Sequence, residues 1–154
     1  MQTFLPYANF IYSALVLDKK RCWKQVVEAK QIISVLSHLE ECPKDKAAWM
    51  NHPAVKMWEG CIPALKLYYN AFLNVCLECH LINTKFEYYP ITPFDIMEDE
   101  YPWWFGNVEF HRAMRARLIE KDRDFYLPLF SLDENYNEGK YWWPVMETKT
   151  FRTI

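Results

Sequence analysis

Residues 18–36, DKKRCWKQVVEAKQIISVL, carry three side-chain patterns at helical spacing, and they constrain the fold more than any other stretch. Apolar residues recur every three or four positions and predict a helix with one face against a core: Cys22, Val26, Ala29, Ile33 and Leu36. A polar stripe follows the edge of that face: Asp18, Arg21, Gln25 and Glu28. The opposite, solvated side carries Lys20, Lys24 and Gln31. Two carboxylates, a guanidinium and an amide beside a core are a first indication of a functional site.

Three further helices are predicted from caps, prolines and apolar spacing. Asn9 and Asn107 are good helix caps, and Pro53 suits the first turn of a helix, where a missing amide costs nothing. Besides the helix at 18–36, the predicted helices are residues 10–17, 53 to about 81 with a kink at Pro63, and 107 to about 122. A short helix is also expected near 93–98. The tail from Phe125 is irregular and aromatic, so we expect it to wrap on the helices instead of forming a sheet.

The length and composition fit one all-α domain. A chain of 154 residues that is 51% hydrophobic is long enough to bury one sizeable core. We therefore predict a single compact helical domain over residues 1–154, with about four helices and a long aromatic-rich C-terminal tail. No run of apolar residues is long enough for a membrane span, and the amino terminus lacks the pattern of a signal peptide. We expect an intracellular protein, cytoplasmic or nuclear, with packaging in a virion as an alternative.

The cysteines and glycines argue against a metal or nucleotide cofactor. Cys76-Leu-Glu-Cys79-His80 matches a short pattern used for haem attachment or zinc. Both thiols fall in the predicted central helix, however, and no second pair has ligand spacing. With three glycines in the chain there is no phosphate-binding loop. We expect reduced, structural cysteines, no metal and no cofactor.

Basic residues concentrate on two helices although the formal net charge is −2. One cluster, Lys19 to Lys24, begins the second helix; the other runs from His111 to Arg123 on the fourth helix. Two positive faces flanked by Trp-rich loops are what a protein needs to bind a phosphate backbone and contact opened bases. The alternative is a pair of solvated faces balanced by carboxylates, since Arg117 and Glu120 have the spacing of a helical salt bridge.

Several stretches closely resemble the pyrimidine-dimer DNA glycosylase family, that of endonuclease V of T-even phages and its bacterial and viral relatives. They follow the same order over nearly the whole chain: MQTFLPY, the Leu-Asp-x-x-Arg-x-x-Lys-Gln-x-x-Glu-Ala-x-Gln-Ile run at 17–32, NHPAVKMWEG at 51–60, Phe110-His111-x-x-x-Arg115-x-x-Leu118 with Lys121-Asp122, and Trp143-Pro144-Val145. The resemblance implies a helical DNA-repair enzyme that kinks duplex DNA and extrudes a base at the lesion. It implies glycosylase and abasic-site lyase chemistry, in which the α-amine at the chain start attacks the sugar C1′ to give an imine.

The resemblance also assigns roles to residues. Met1 would supply the amine, and Glu28 or Asp18 the carboxylate that stabilises the cationic sugar and moves protons; the bacterial-type pattern includes Glu28. Residues expected to contact duplex DNA are Lys20, Arg21, Lys24, Gln25, His52, His111, Arg115, Arg117, Lys121, Trp103 and Trp104. The competing hypothesis is a non-catalytic structural or interaction protein on the same scaffold, virion-associated for example, with protein partners bound through the aromatic tail. The acidic residues at 97–100 and 133–138 favour that alternative.

Overall fold

The computed structural model describes all residues, 1–154, and contains six α-helices and a small hairpin. The helices are α1 (Phe10–Val16), α2 (Lys19–Glu41), α3 (Pro53–Lys56), α4 (Ile62–Glu78), α5 (Val108–Lys121) and α6 (Arg123–Phe130). The strands β1 (Trp142–Val145) and β2 (Thr150–Thr153) pair antiparallel, with Trp143 opposite Arg152. Short 3₁₀ turns lie at Pro93–Asp95, Glu98–Glu100 and Ser131–Asp133. None of the helices combines the length and apolar composition that a bilayer crossing requires.

The core is built on α2 and α4, which pack against each other along their apolar stripes. All five residues of the predicted apolar stripe of α2 are buried, while Lys20, Lys24 and Gln31 are exposed, so the face assignment is confirmed. The Sγ atoms of Cys22 on α2 and Cys76 on α4 lie 3.4 Å apart at this contact. All five cysteines are free thiols; Cys42 and Cys79 are exposed.

The predicted third helix is two helices, so that expectation was wrong. The chain leaves α3 after Lys56 and turns at Gly60, whose φ of 73° is in the left-handed region. That conformation suits glycine, because it has no Cβ to clash. Pro63 therefore lies in the first turn of α4, where its missing N–H leaves no hydrogen bond unmade, and it causes no kink.

The helix capped by Asn107 is confirmed, and the tail is more regular than predicted. The Asn107 side chain accepts a hydrogen bond from the Phe110 amide and begins α5. Asp122 ends α5 and caps α6, which contains Pro128, and the hairpin then includes Pro144. The prediction of about four helices with an irregular tail is therefore corrected to a mostly helical fold of six helices with a two-stranded hairpin. Prolines inside both elements hid them from pattern-based prediction.

Candidate functional site

A cavity of about 440 Å³ opens where the chain start, α2 and the C-terminal hairpin meet. This volume lies within the range of small-molecule sites, so an extruded nucleotide group fits by size. The chain start and α2 form most of its wall, and the ends of α3 and α5 and the tail close it. The lining residues are Met1, Gln2, Phe4, Lys20, Arg21, Lys24, Gln25, Glu28, His52, Lys121, Tyr141 and Trp143.

Glu28 brings a buried carboxylate to the chain start. Its side chain is only 10% exposed, and its Oε2 atom accepts a hydrogen bond of 2.9 Å from the backbone N–H of Gln2. Its other oxygen lies 3.8 Å from the ammonium of Lys24. A buried carboxylate needs such partners, because burial without them is costly. The first peptide of the chain, and with it Met1, is thereby fixed at the cavity wall.

The residues after Met1 are extended, and side chains of the helices satisfy their backbone. Gln25 accepts a 2.8 Å hydrogen bond from the amide of Phe4, whose carbonyl accepts another of 2.8 Å from the hydroxyl of Tyr68. The carbonyl of Leu5 lies 2.8 Å from His111 Nδ1. Gln25 is therefore a buried residue whose side-chain oxygen holds the chain start.

His52 lines the cavity and caps α3. Its Nδ1 atom accepts a 3.0 Å hydrogen bond from the backbone N–H of Ala54. Its ring meets Trp49 and Trp143 edge-on, with centroids 5.9 and 6.0 Å away. Burial, and then the positive charge of the amino terminus, lower the pKa of His52. The ring is therefore neutral at pH 7, and with Nδ1 accepting, its proton lies on Nε2 as the one remaining donor.

Three lysine ammonium groups surround the cavity. Lys20 and Lys121 are exposed and take part in no ion pair, and the side chain of Lys24 is 65% exposed despite its contact with Glu28. Lys20 and Lys24 come from α2, and Lys121 comes from the last turn of α5, so both predicted basic clusters contribute to this one opening. The positive charge around the cavity mouth suits a phosphate backbone.

Asp18, the alternative carboxylate, lies outside this cavity. It caps α2, accepts hydrogen bonds from Arg21 and accepts another from the hydroxyl of Tyr126. Burial alone would raise the pKa of Asp18, but these hydrogen bonds outweigh burial and lower it. Asp18 thus caps α2, and of the two carboxylates predicted for catalysis only Glu28 lines the cavity. Arg21 does line the cavity, yet its guanidinium is held by Asp18 at 3.2 Å and by the Lys121 carbonyl at 3.1 Å.

Three residues of α5 that were predicted to bind DNA are used inside the protein instead. His111 is buried, and its Nε2 atom accepts a 2.9 Å hydrogen bond from the Gly106 amide. Arg115 donates to Asp133 at 2.6 Å and to the Pro6 carbonyl at 2.7 Å. Arg117 pairs with Glu120 and stacks 3.7 Å above the Tyr141 ring. These contacts use most of their polar groups inside the protein, and of their buried polar atoms only Arg117 Nε is left without a partner. The geometry therefore does not favour phosphate contacts by His111, Arg115 and Arg117, which stay predictions.

The two tryptophans proposed for base contacts are not at the cavity. Trp104 is fully buried, and its indole N–H donates a 2.9 Å hydrogen bond to the Met57 carbonyl. Trp103 packs on Phe151 of β2, with ring centroids 5.0 Å apart. The aromatic residues that line the cavity are Phe4, which is buried, and Tyr141 and Trp143 of the hairpin region, whose rings stack at 5.6 Å.

Sequence reasoning missed two features of this region. Gln2 contributes through its backbone N–H, which no side-chain pattern can reveal. Trp49, three residues before His52, is 60% exposed and has a φ of 69°. The left-handed region is uncommon for a residue with a bulky side chain, and such positions cluster at functional sites.

Comparison with known proteins identifies the family. The sequence profile described as pyrimidine dimer DNA glycosylase matches residues 1–86 of the 154, more than half of the chain. The chain belongs to the pyrimidine dimer DNA glycosylase family. The matched part of the family fold contains the chain start, α2 and His52, whereas Lys121, Tyr141 and Trp143 lie beyond it. No curated protein and no solved structure matches the chain.

Proposed function

We propose that this protein is a DNA-repair glycosylase with abasic-site lyase activity on cyclobutane pyrimidine dimers, and that the α-amine of Met1 is its nucleophile. One observation carries the proposal: the buried Glu28 carboxylate is hydrogen-bonded to the first peptide of the chain, in a cavity surrounded by lysines. Membership of the glycosylase family implies a DNA substrate, and the cavity is where that substrate would react.

The amine of Met1 suits this chemistry better than a lysine. An ordinary α-amine has a pKa of about 8, against about 10 for lysine, so more of it is unprotonated and nucleophilic at neutral pH. The atom bonded to Glu28 is the amide nitrogen of Gln2, which is not nucleophilic. The amine of Met1 is one residue earlier, within about 4 Å of that amide by covalent geometry.

The proposed reaction has two parts. The amine forms a bond to the sugar C1′ while the bond from C1′ to the damaged base breaks, and the base leaves with that electron pair. Glu28 accepts the proton that the amine loses and returns it to O4′ as the C1′–O4′ bond breaks, which opens the sugar ring and leaves an iminium between C1′ and the amine. The Glu28 carboxylate stabilises the positive charge that develops at C1′. Loss of a C2′ proton then expels the 3′ phosphate, which cuts the strand. Water finally releases the sugar fragment from the amine.

The other lining residues would hold the DNA. Lys20, Lys24 and Lys121 are placed to bind phosphates, because their ammonium groups lie at the cavity and are largely free. The Nε2 proton of His52 is available to a phosphate or sugar oxygen. Tyr141 and Trp143 offer aromatic surface to an unstacked base.

Borohydride trapping on duplex DNA with an abasic site tests the proposal. The wild-type chain should form a covalent adduct, and peptide mapping should place it on Met1. Glu28→Gln keeps an acceptor for the Gln2 amide but removes the charge, so trapping should fall roughly 10²- to 10⁴-fold. Asp18→Asn is the matched control, and per folded molecule it should trap like the wild type.

The rival nucleophile is Lys24, whose ammonium is also near Glu28, at 3.8 Å. Acetylating the amino terminus should abolish the adduct, whereas Lys24→Ala should leave it on Met1. An adduct that survives acetylation and disappears in Lys24→Ala would move the nucleophile to Lys24 and overturn the assignment. Cleavage of a duplex with a single thymine dimer then tests the lesion class.

A non-catalytic interaction protein is the second candidate, and exposed apolar residues beside an acidic turn favour it. Phe94 is 98% exposed and Met97 is 71% exposed, next to Glu98–Glu100. Such side chains are more typical of protein contacts than of a DNA-binding face. The absence of both an adduct and salt-sensitive duplex binding would support this candidate over the enzyme.

A further inference from the structure

Three metal-ligating side chains meet at the carboxyl end of α2, away from the cavity. His38 and Cys42 are four residues apart and therefore lie on one face of the last turn. The chain then turns, and the Asp45 amide donates a 3.0 Å hydrogen bond to the Cys42 carbonyl. This turn brings Asp45 close to His38 and Cys42. One ligand atom from each residue lies within 4.8 Å of the other two, and all three residues are exposed. A small movement of side chains can therefore bring all three onto a single ion.

The chemistry of this group fits a zinc-class ion. A thiolate and an imidazole are ligands that Zn²⁺ and Co²⁺ accept readily, whereas Mg²⁺ and Ca²⁺ require oxygen ligands. Three protein ligands leave the fourth tetrahedral position for water. We propose that His38, Cys42 and Asp45 bind one Zn²⁺-class ion. No residue of this group lines the glycosylase cavity, so the proposal stands or falls independently of the enzymatic one.

The local electrostatics support binding of a cation. The carbonyl groups at the carboxyl end of a helix carry partial negative charge, and α2 is a long helix of 23 residues. Glu40 and Glu41 are exposed in the same last turn. Lys44 and Lys46 oppose this, but they lie in the following turn. Unlike the buried Cys22 and Cys76, Cys42 is accessible to an ion from solvent.

Proton balance gives a measurable signature of this binding. The His38 Nε2 atom and an Asp45 carboxylate oxygen are 3.1 Å apart and share a hydrogen bond. The ion replaces that hydrogen: the proton of the neutral imidazole moves from Nε2 to Nδ1 through solvent, and the lone pair freed on Nε2 is donated to the metal. The Cys42 thiol loses its proton to solvent as its sulfur binds the metal. Because the thiol proton is the one that leaves, binding should release about one proton per ion.

Cobalt titration of the metal-free protein under reducing conditions tests the site. One equivalent of Co²⁺ should give a thiolate-to-cobalt charge-transfer band and visible bands of tetrahedral cobalt, and Zn²⁺ should displace it. Cys42→Ser and His38→Asn should each weaken Co²⁺ binding at least about 100-fold, since losing even an outer-shell partner costs 10- to 100-fold. Cys79→Ser is the matched control, because Cys79 is the other exposed cysteine and should leave the spectrum unchanged.

Two results would overturn the proposal. One is a thiolate-to-cobalt band that persists in Cys42→Ser, which would place the ion on another cysteine. The other is the absence of a band in the wild-type chain with Co²⁺ in excess. All three ligands are exposed, so the variants should remain folded, and circular dichroism melts without metal check this. Zn²⁺ should raise the melting temperature of the wild-type chain and not that of Cys42→Ser.

Discussion

The first turns of α2 and the middle of α5 carry similar positive charge, and the structure uses them differently. Lys20 and Lys24 of α2 extend into solvent at the cavity. Arg112 and Arg115 of α5 both donate to Asp133 from the C-terminal tail, at 2.9 and 2.6 Å. The lysines of α2 are therefore available to a ligand, whereas the arginines in the middle of α5 bind the C-terminal tail to the helices. A count of basic residues cannot separate these two roles.

The difference follows from side-chain chemistry and from a distant partner. A guanidinium presents a planar set of donors that suits buried carboxylates and carbonyls, whereas an ammonium is strongly hydrated and remains in solvent. Burial opposes ionisation of Asp133, but hydrogen bonds from Arg115 and Arg112 outweigh it and lower the pKa of Asp133. The comparison predicts that substitutions in the middle of α5 change stability, whereas substitutions in the first turns of α2 change DNA binding.

The largest effect should come from Arg115→Ala. This change leaves Asp133 with one arginine and leaves the Pro6 carbonyl without its donor, so the free energy of unfolding should fall by about 3 kcal/mol. Urea denaturation measures it. Lys20→Ala is the control, because Lys20 is exposed and in no ion pair, and it should stay within about 0.5 kcal/mol of the wild type. If Arg115→Ala unfolds like the wild type but loses DNA binding, the division between the two regions is wrong.

Asp133→Asn should lower the free energy of unfolding by roughly 2 kcal/mol at neutral pH, somewhat less than Arg115→Ala. The amide that replaces the carboxylate still accepts hydrogen bonds but lacks the charge. Since the folded state lowers the pKa of Asp133, its contribution is complete above the unfolded value of about 3.9 and is lost as the pH falls through the folded value. The difference in unfolding free energy between wild type and Asp133→Asn should therefore shrink in acid. A difference that stays constant from pH 7 to pH 2 would contradict this account.

Replacing both Lys20 and Lys24 by alanine should weaken duplex binding by about tenfold at low salt and leave the unfolding free energy almost unchanged. Each lysine that contacts a phosphate contributes about 0.9 to the slope of log affinity against log salt, so the slope should decrease by about 1.8. Fluorescence anisotropy over a salt series measures both quantities. Lys44→Ala with Lys46→Ala, two exposed lysines outside the cavity, is the matched control; an equal loss there would mean that binding is not localised.

The smallest effect should come from Arg117→Ala. Its contacts are the Glu120 carboxylate and the Tyr141 ring, which together should contribute about 1 kcal/mol to stability. Tyr141 is also held by stacking on Trp143 and by two backbone hydrogen bonds with Ile154, so the melting temperature should fall only slightly while the salt slope of DNA binding stays the same. A decrease of about one in that slope would place Arg117 on a phosphate and return it to the DNA-binding cluster.

The sequence predicted a helix correctly where its cap and its apolar stripe are formed by residues close together in the chain. The Asn9 and Asn107 caps and the apolar stripe of α2 depend on residues within one or two turns, and all were confirmed. The predictions were wrong where contacts between residues distant in sequence determine the secondary structure. Pro63 begins a helix instead of kinking one, and the hairpin around Pro144 is paired by β2 and packs beside His52.

The site was predictable in part for the same reason. Helical spacing along the polar edge of α2 is enough to identify Glu28 and the lysines, but not which carboxylate reaches the chain start. That choice depends on the path of residues 1–5, whose backbone is bonded to three different helices. The side chains of Arg115 and Trp104 form hydrogen bonds with Asp133 and Met57, which are distant in sequence. The spacing of residues within one helix does not reveal hydrogen-bond partners that lie elsewhere in the chain.

The threading of the first residues between the helices has a practical consequence for handling this protein. Because Met1 lines the cavity, an affinity tag or cleavage scar placed ahead of it should enter the space that we propose for a nucleotide. It also converts the terminal amine into an amide. Ile154 is 57% exposed and does not line the cavity, so we expect a tag on it to leave the cavity open. If the proposed chemistry is correct, protein purified with an amino-terminal tag should show no lyase activity, and the same protein tagged after Ile154 should show it.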